Sequence, residues 1–208
     1  MTETSQNRPE SRHKSKEYWN KYGNLSIMKT EFYRVLKPHE ARSILEKIPK
    51  MKHKMAFKTE LYTGMRFSEL HFFSEHPEWF KHDRKLIILP GKYTKTSEER
   101  KVNLTPQFSE ILYYYLESGN RLEFPVYQTW QADLIRWASQ AGIEDAINIS
   151  AGTLRKTWES WVLESGYPEI RVMASQGHTS ATSFKHYYNN DWSPEERIQI
   201  KKETAGWM

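Results

Sequence analysis

The stretch LYTGMRFSEL, residues 61–70, breaks a helical pattern with a glycine and resumes it after an arginine. We predict that one helix ends at Gly64 and that the next begins just after Arg66. A partly buried arginine at a helix start is costly unless it meets an anion. Arg66 therefore pairs with a carboxylate such as Glu69 or binds an external anion, and this stretch alone leaves both readings open.

Outside this stretch, the hydrophobic pattern predicts a mainly helical fold with one small β-hairpin. The predicted helices cover Leu36–Ile48, Met55–Tyr62, 67–73, 106–119, 129–142, 153–166, 168–176, 183–188 and 193–208. KLIILP (85–90) and RKVNL (100–104) are the predicted strands, and the polar residues between them form the tip of the hairpin.

The composition excludes several kinds of site. The 208 residues contain no cysteine, which excludes disulfides, a thiolate nucleophile and cysteine-ligated zinc. No apolar run approaches the ~18 residues of a membrane span, and we expect a cytoplasmic protein. Nucleotide-binding glycine loops and the HExxH zinc motif are absent, and His71, His76 and His82 are not spaced for one metal-binding helix face.

Positive charge is concentrated at the front of the chain. Residues 1–58 carry 14 Lys and Arg against 6 Asp and Glu, whereas the remaining 150 residues carry 17 against 20. Clustered positive charge favours a nucleic-acid partner. A solvated basic tail over residues 1–17 would have the same composition, so charge permits DNA binding without establishing it.

Three further segments carry candidate chemistry, and each has an ordinary structural alternative. Lys92 and Lys95 lie in the hairpin tip, GKYTKTSEER, where lysines suit a solvated turn. Arg155 lies in TLRKT, in the first turn of a tryptophan-rich helix, where it could be a structural tether. A Gly-His pair and two adjacent tyrosines lie in ASQGHTSATSFKHYYNN (174–190), which suits a polar turn followed by aromatic packing.

Taken in order, these segments resemble the catalytic domain of tyrosine recombinases, the phage-integrase family. The resemblance rests on TGMRFSEL (63–70), a hairpin lysine, LRKT (154–157), and GHTS (177–180) followed by Tyr187 nine residues after the histidine. It runs from about Leu36 to Tyr187 and implies that family's fold, mainly α with a small β-sheet. HPEWF, RKTWESW and SQGHT look most like small archaeal integrases of viruses and plasmids, which would place the protein in the host cytoplasm.

The resemblance implies that DNA strands are cut and rejoined without a metal or another cofactor. Tyr187 would attack a phosphodiester and form a 3′-phosphotyrosyl link, which conserves the bond energy for rejoining. Arg66 and Arg155 would bind the non-bridging oxygens, because a guanidinium group is planar, always charged and able to bind phosphate bidentately. His178 would donate a further hydrogen bond to the phosphate.

Two of these assignments have close competitors. A hairpin lysine would protonate the leaving 5′-oxygen, and counting back from the following strand favours Lys95, although Lys92 lies in a Gly-Lys pair like many family members. Tyr187 and Tyr188 diverge by roughly 100° on a helix, so only one can face the phosphate. The spacing from His178 favours Tyr187, and Tyr188 would then pack elsewhere.

One position departs from the family pattern. Gly152 stands three residues before Arg155, where the family usually has a histidine or a lysine near the nucleophile. Lys156 or His186 could substitute, and Glu69 is a further auxiliary candidate. If neither substitutes, the chain is a slower enzyme or a DNA-binding relative without turnover. A third reading is a topoisomerase-like enzyme that nicks and closes DNA with the same nucleophile.

We expect three parts in the chain. Residues 1–35 form a basic arm, 36–190 form the catalytic domain, and 191–208 form a C-terminal helix that either exchanges between protomers or folds back on its own domain. The arm would act as a reduced clamp in place of a separate core-binding domain, unless the chain is an excised domain or a partner supplies that half. The expected partners are double-stranded DNA and further copies of the chain, monomeric or dimeric when free and tetrameric in the synaptic complex.

Overall fold

The predicted helices are present throughout the part of the chain that the computed structural model describes, residues 34–177 and 190–207. They are α1 (Pro38–Lys47), α2 (Met51–Thr63), α3 (Phe67–Glu75), α4 (Pro106–Glu117), α5 (Tyr127–Gln140), α6 (Ala151–Glu164), α7 (Glu169–Gln176) and α8 (Pro194–Glu203). The helix predicted over 183–188 lies outside the described residues. Within the two described ranges, no helix is both long enough and apolar enough to cross a membrane.

Polar side chains explain where several helices begin. Thr105, Ser150 and Ser193 each accept a hydrogen bond from the backbone N–H three residues later, at the starts of α4, α6 and α8. The first N–H groups of a helix lack partners within the helix, and a hydroxyl at this position satisfies one of them. These helix starts are therefore encoded locally in the sequence.

The predicted β-hairpin is present, but the sheet has a third strand that we did not predict. β2 (Leu86–Leu89) pairs antiparallel with β3 (Arg100–Asn103), and β1 (Phe80–Lys81) pairs antiparallel with the other edge of β2. β1 has only two residues between two 3₁₀ turns, too few for an alternating pattern to indicate a strand. The predicted fold class, mainly α with a small β-sheet, is confirmed.

Buried tryptophans hold the helices together. Trp130 and Trp137 on α5 and Trp158 and Trp161 on α6 are at most 1% exposed. Helix α2 packs on α6, and α1 packs on α5. Large aromatic rings dominate the energetics of such a core, and a buried indole N–H usually finds an acceptor. Trp161 donates to the carbonyl of Leu36 at 3.1 Å, which joins α6 to the segment before α1.

The C-terminal helix α8 packs against its own domain. It contacts α6 and α1, and its Ile200 is fully buried. Beyond α8, Trp207 is only 2% exposed, and its indole N–H donates to the carbonyl of Asn103 in β3 at 2.9 Å. The single chain thus adopts the folded-back arrangement, and exchange of α8 between protomers stays a prediction.

Candidate active site

The break between α2 and α3 lies at the predicted glycine and has a steric cause. Gly64 ends α2 with a left-handed φ of 58°, a conformation that glycine adopts without strain. A Cβ on Gly64 would lie 2.5 Å from the side-chain amide nitrogen of Gln176, so no larger residue fits without displacing this side chain. Arg66 then occupies the N-cap of α3, and its backbone N–H donates to Glu69 at 2.8 Å.

Among the described residues, the side chain of Arg66 has two hydrogen-bond partners. Nη1 donates to the carboxylate of Glu69 at 3.0 Å, and Nη2 donates to the carbonyl of Gly177 at 2.8 Å. Glu69 is buried, whereas about a quarter of the Arg66 side chain stays exposed. Pairing with Glu69 is therefore present, and Arg66 also remains accessible to an external anion.

The side chain of Arg155 comes from α6 to the same place. Nη1 donates to the carbonyl of Gly64 at 2.5 Å, and Nη2 donates to the carbonyl of Gln176. Burial, and then the positive charges of Arg66 and Arg100, lower the pKa of Arg155 to about 10. Arg155 is thus still charged at neutral pH, and its charge is close enough to two other guanidinium groups to be repelled by them.

Sequence reasoning missed a third arginine in this cluster. Arg100, the first residue of β3, is 5% exposed, and it forms an ion pair with Glu69 and donates to the carbonyl of Ser175 at 2.6 Å. Burial lowers the pKa of Arg100, and the carboxylate of Glu69 partly offsets this effect. The strand alternation could have revealed it, because Arg100 shares a face of β3 with the buried Val102.

The three arginines all meet the C-terminal end of α7. The carbonyls of Ser175, Gln176 and Gly177 each accept a hydrogen bond from a different guanidinium group. The last carbonyls of a helix lack intrahelical donors and carry the negative end of its dipole, which positive side chains stabilise. We call Arg66, Arg100 and Arg155 together the arginine cluster.

The two hairpin lysines lie in the connection between β2 and β3. Lys92 and Lys95 are both exposed, and the ammonium group of Lys92 lies 4.5 Å from the ring centroid of Tyr93. Among the described residues, neither lysine forms a hydrogen bond or an ion pair with the arginine cluster. The choice of Lys95 over Lys92 as proton donor stays a prediction.

Gly152 and Lys156 lie one turn apart on α6. Gly152 is exposed, and among the described atoms a Cβ there would contact only the hydroxyl of Ser150, at 3.5 Å. Residues four apart lie on one face of a helix, so Lys156 shares the face on which Gly152 has no side chain. Lys156 is half-buried, and this burial lowers its pKa to about 8.

The remaining predicted site residues lie outside the described residues. These are His178, His186 and Tyr187, together with the competing Tyr188. Gly177 is the last described residue before them. It adopts a left-handed φ of 67°, and a Cβ there would lie 2.7 Å from Cδ of Arg100. Of the predicted residues that the structure describes, Arg66, Glu69 and Arg155 are brought together.

Comparisons with known proteins identify a family and a shared fold. Residues 34–193 match the model of the phage integrase family. The crystal structure of XerA recombinase aligns with a TM-score of 0.61 and 17% identity, over 85% of this chain and 65% of that chain. The Tn1549 transposon integrase in complex with transposon right end DNA aligns with a TM-score of 0.59 and 15% identity, over 85% and 68% of the two chains.

A third solved structure is similar to the same extent. XerH site-specific recombinase, bound to difH substrate in a pre-cleavage complex, aligns with a TM-score of 0.58 and 18% identity, over 84% of this chain and 54% of that chain. These likenesses show a shared fold, and the chain matches about two thirds or less of the XerA and XerH chains. No curated protein sequence matches the chain. The family model covers most of the sequence, including TGMRFSEL, LRKT and GHTS, and the chain therefore belongs to the phage integrase family.

Proposed function

We propose that this chain is a site-specific DNA recombinase that cuts and rejoins strands through Tyr187. The observation that carries the proposal is the convergence of Arg66 and Arg155 on the adjacent carbonyls of Gly177 and Gln176. A guanidinium group can donate two parallel N–H bonds to the oxygens of a phosphate, so two such groups close together suit this ligand. A phosphodiester would accept from the remaining N–H groups of these two guanidiniums and would sit beside the start of the segment that contains His178.

The charge balance of the arginine cluster favours an anionic ligand. Among the described residues, Arg66 and Arg100 share the carboxylate of Glu69, so these three groups carry one more positive than negative charge. Arg155 adds a further positive charge, which the carboxylates of Glu69 and Glu159 offset in part. Burial, and then repulsion from Arg66 and Arg100, lowers its pKa. A phosphate would relieve this repulsion, and the developing negative charge of the transition state would relieve it further.

The proposed reaction breaks one bond and forms one bond at phosphorus. The hydroxyl oxygen of Tyr187 forms the new bond to phosphorus, while the bond from phosphorus to the 5′-oxygen breaks. Lys95 supplies the proton that the leaving 5′-oxygen needs. Lys156, with a pKa of about 8, is partly neutral in slightly alkaline solution and is our candidate to accept the proton of Tyr187. Rejoining runs these steps in reverse.

The proposed binding partners follow from the solved structures that are similar to this chain. The Tn1549 integrase and XerH structures contain DNA, and we extend double-stranded DNA to this chain as its substrate. Assembly of four protomers on two sites and the narrower likeness to archaeal virus and plasmid integrases stay predictions. The basic segment 1–58 would add phosphate contacts, so we expect DNA affinity to fall steeply with salt.

A covalent-adduct assay tests the proposal. The substrate is a pool of nicked DNA duplexes with randomised central sequences. Cleavage beside the nick releases a short fragment, and because this fragment diffuses away, the strand cannot be rejoined and the phosphotyrosyl link is trapped. The wild type and Tyr188→Phe should form an adduct that survives denaturing electrophoresis, whereas Tyr187→Phe should form none. DNA binding without an adduct in the wild type, or an unchanged adduct in Tyr187→Phe, would refute the proposed role of Tyr187.

A second candidate is a DNA-binding relative without turnover, which the bare position at Gly152 favours. Because the site around Gly152 is open, Gly152→Lys and Gly152→His should fold normally. An adduct that forms only after one of these substitutions would identify the present chain as the binding form. An adduct that forms at the same rate with and without them would show that position 152 is unused here.

A further inference from the structure

Arg100 has no role in the proposed chemistry, yet it is the least exposed partner of Glu69. It is 5% exposed, against about a quarter for the side chain of Arg66. Burying an ion pair is costly, and apolar residues in place of both partners often serve stability as well or better. We propose that Arg100 is a positioning residue, which holds Glu69 and the end of α7 so that Arg66 stays directed at the phosphate. This inference rests on the proposed function.

The first part of the argument concerns competition for Glu69. One carboxylate oxygen, Oε1, accepts from Nη1 of Arg66, while Oε2 accepts from Arg100 and from the backbone N–H of Arg66. Without Arg100, the carboxylate could turn both oxygens to the Arg66 side chain in a bidentate pair, the strongest arrangement for these two groups. Arg66 would then be neutralised, and Nη2 would leave the carbonyl of Gly177. Arg100 prevents this because it occupies the second oxygen.

The second part concerns the end of α7. Nη1 of Arg100 donates to the carbonyl of Ser175, and its Cδ fills the space that a side chain on Gly177 would need. The contacts close a ring that runs from Arg66 through Glu69 and Arg100 to Ser175, and from Gly177 back to Arg66. A ring of this kind fixes both ends of Arg66 before any ligand arrives. Hydrogen-bond donors that are already in place stabilise the developing charge of a transition state.

The groove beside Arg100 offers a chemical route to test this role. It has a volume of about 490 Å³ and is lined in part by Arg100, Arg171 and Ser175. A small guanidinium compound can therefore approach the place that a shortened side chain at position 100 would leave empty. Lysine at this position keeps the charge but cannot donate to Glu69 and Ser175 with a planar fork.

The experiment compares Arg100→Lys and Arg100→Ala with Lys101→Gln, which removes one exposed charge from the same strand. Single-turnover adduct formation is measured at saturating protein on two duplexes, one with a normal scissile phosphodiester and one with a neutral methylphosphonate. On the phosphodiester we expect Arg100→Lys to be slower by about 10²-fold, since a small displacement of a catalytic group has this effect, with DNA affinity changed less than about threefold. The deficit should shrink on the methylphosphonate, where the charge that Arg66 binds is absent.

Two further readouts separate positioning from folding and from the proposed function. Millimolar methylguanidine should restore part of the rate of Arg100→Ala but not of Arg66→Ala, whose guanidinium group binds the phosphate itself. The ¹⁵N side-chain resonances of Arg66 are assigned by their loss in Arg66→Lys. In the wild type its two Nη groups should exchange slowly and give separate signals, and in Arg100→Lys these signals should average, whether or not an adduct forms. If the rate of adduct formation in Arg100→Lys falls by the same factor on both duplexes, or if the Arg66 resonances are unchanged in this variant, the inference is overturned. A wild type without any adduct refutes the proposed function, and the Arg66 resonances then decide this inference alone.

Discussion

The most quantitative prediction concerns Glu60, a carboxyl group buried in the core away from the arginine cluster. Glu60 is fully buried on α2, and the indole N–H of Trp130 donates to its Oε2 at 2.6 Å. Among the described residues, its Oε1 has no hydrogen-bond partner. Burial raises the pKa of Glu60 from 4.5 to about 8, against a smaller opposite effect of the Trp130 hydrogen bond. Glu60 is therefore protonated in the folded chain at neutral pH.

The sign of the pH dependence follows from the two protonation states. The unfolded chain loses this proton above pH 4.5, whereas the folded chain keeps it until about pH 8. Between these values folding takes up one proton, so the free energy of unfolding decreases as pH rises, by about 1.4 kcal/mol per pH unit. Over the whole interval the loss amounts to about 5 kcal/mol, which is a large share of the stability of a typical domain.

Glu60→Gln isolates this contribution, because glutamine is neutral in both states and its carbonyl can still accept from Trp130. We expect the free energy of unfolding of Glu60→Gln, relative to the wild type, to increase by about 3 kcal/mol between about pH 5.5 and about pH 7.5. Urea denaturation followed by tryptophan fluorescence measures it, and Glu46→Gln on the exposed face of α1 is the matched control. If the difference between wild type and Glu60→Gln stays constant across this range, Glu60 is ionised in the folded chain and the reasoning is wrong.

Three other predictions concern single contacts. Gly177→Ala should lower the free energy of unfolding by about 1–3 kcal/mol, because Gly177 has a left-handed φ. Gly152→Ala should raise the free energy of unfolding by about 0.5–1 kcal/mol, because Gly152 lies inside a helix with open space around it. Thermal melts measure both changes. Trp207→Phe should cost about 1 kcal/mol, because the hydrogen bond to β3 is lost while the ring stays buried, and equal melting temperatures would contradict this. Lys95→Ala should cut a normal duplex slowly, because the leaving 5′-oxygen needs a proton. It should cut a duplex with a 5′-bridging phosphorothiolate at nearly the wild-type rate, because the sulfur leaves without a proton. Lys92→Ala should resemble the wild type on both substrates.

The elements that the sequence predicted correctly are those with strong local signals. The glycine at the end of α2 and the hydroxyl caps of α4 and α6 act within a few residues, so a short window contains their cause. β1 had no such signal, because two residues gain their strand conformation from pairing with β2 alone. Tertiary pairing overrides local preference in short strands, which are the least predictable elements of a fold.

The residues of the candidate site differ in the same way in how well the sequence predicted them. Arg66 and Arg155 were found because each stands in a recognisable motif, TGMRFSEL or LRKT. Arg100 was treated only as a strand residue, because its partners Glu69 and Ser175 are 31 and 75 residues away in the sequence. Its one local signal was a charged residue on the buried face of a strand. A buried charge needs a partner, so this signal would have justified a search for a carboxylate.

The arrangement around the end of α7 explains physically why the motifs are informative only together. A guanidinium group can donate to a carbonyl with one N–H and to a second group with another, which a lysine cannot do with the same rigidity. Arg155 thereby joins α7 to the end of α2, and Arg66 and Arg100 join it to Glu69 on α3, so that α2, α3, β3 and α6 are all fastened to three consecutive peptide groups. TGMRFSEL supplies Arg66 and Glu69, LRKT supplies Arg155, and GHTS supplies the carbonyl of Gly177. Each of these contacts alone looks like an ordinary salt bridge or helix cap. Because these contacts share the same three peptide groups, removing one of them displaces the acceptors of the others. The effect of two such substitutions on the free energy of unfolding should therefore differ from the sum of their separate effects.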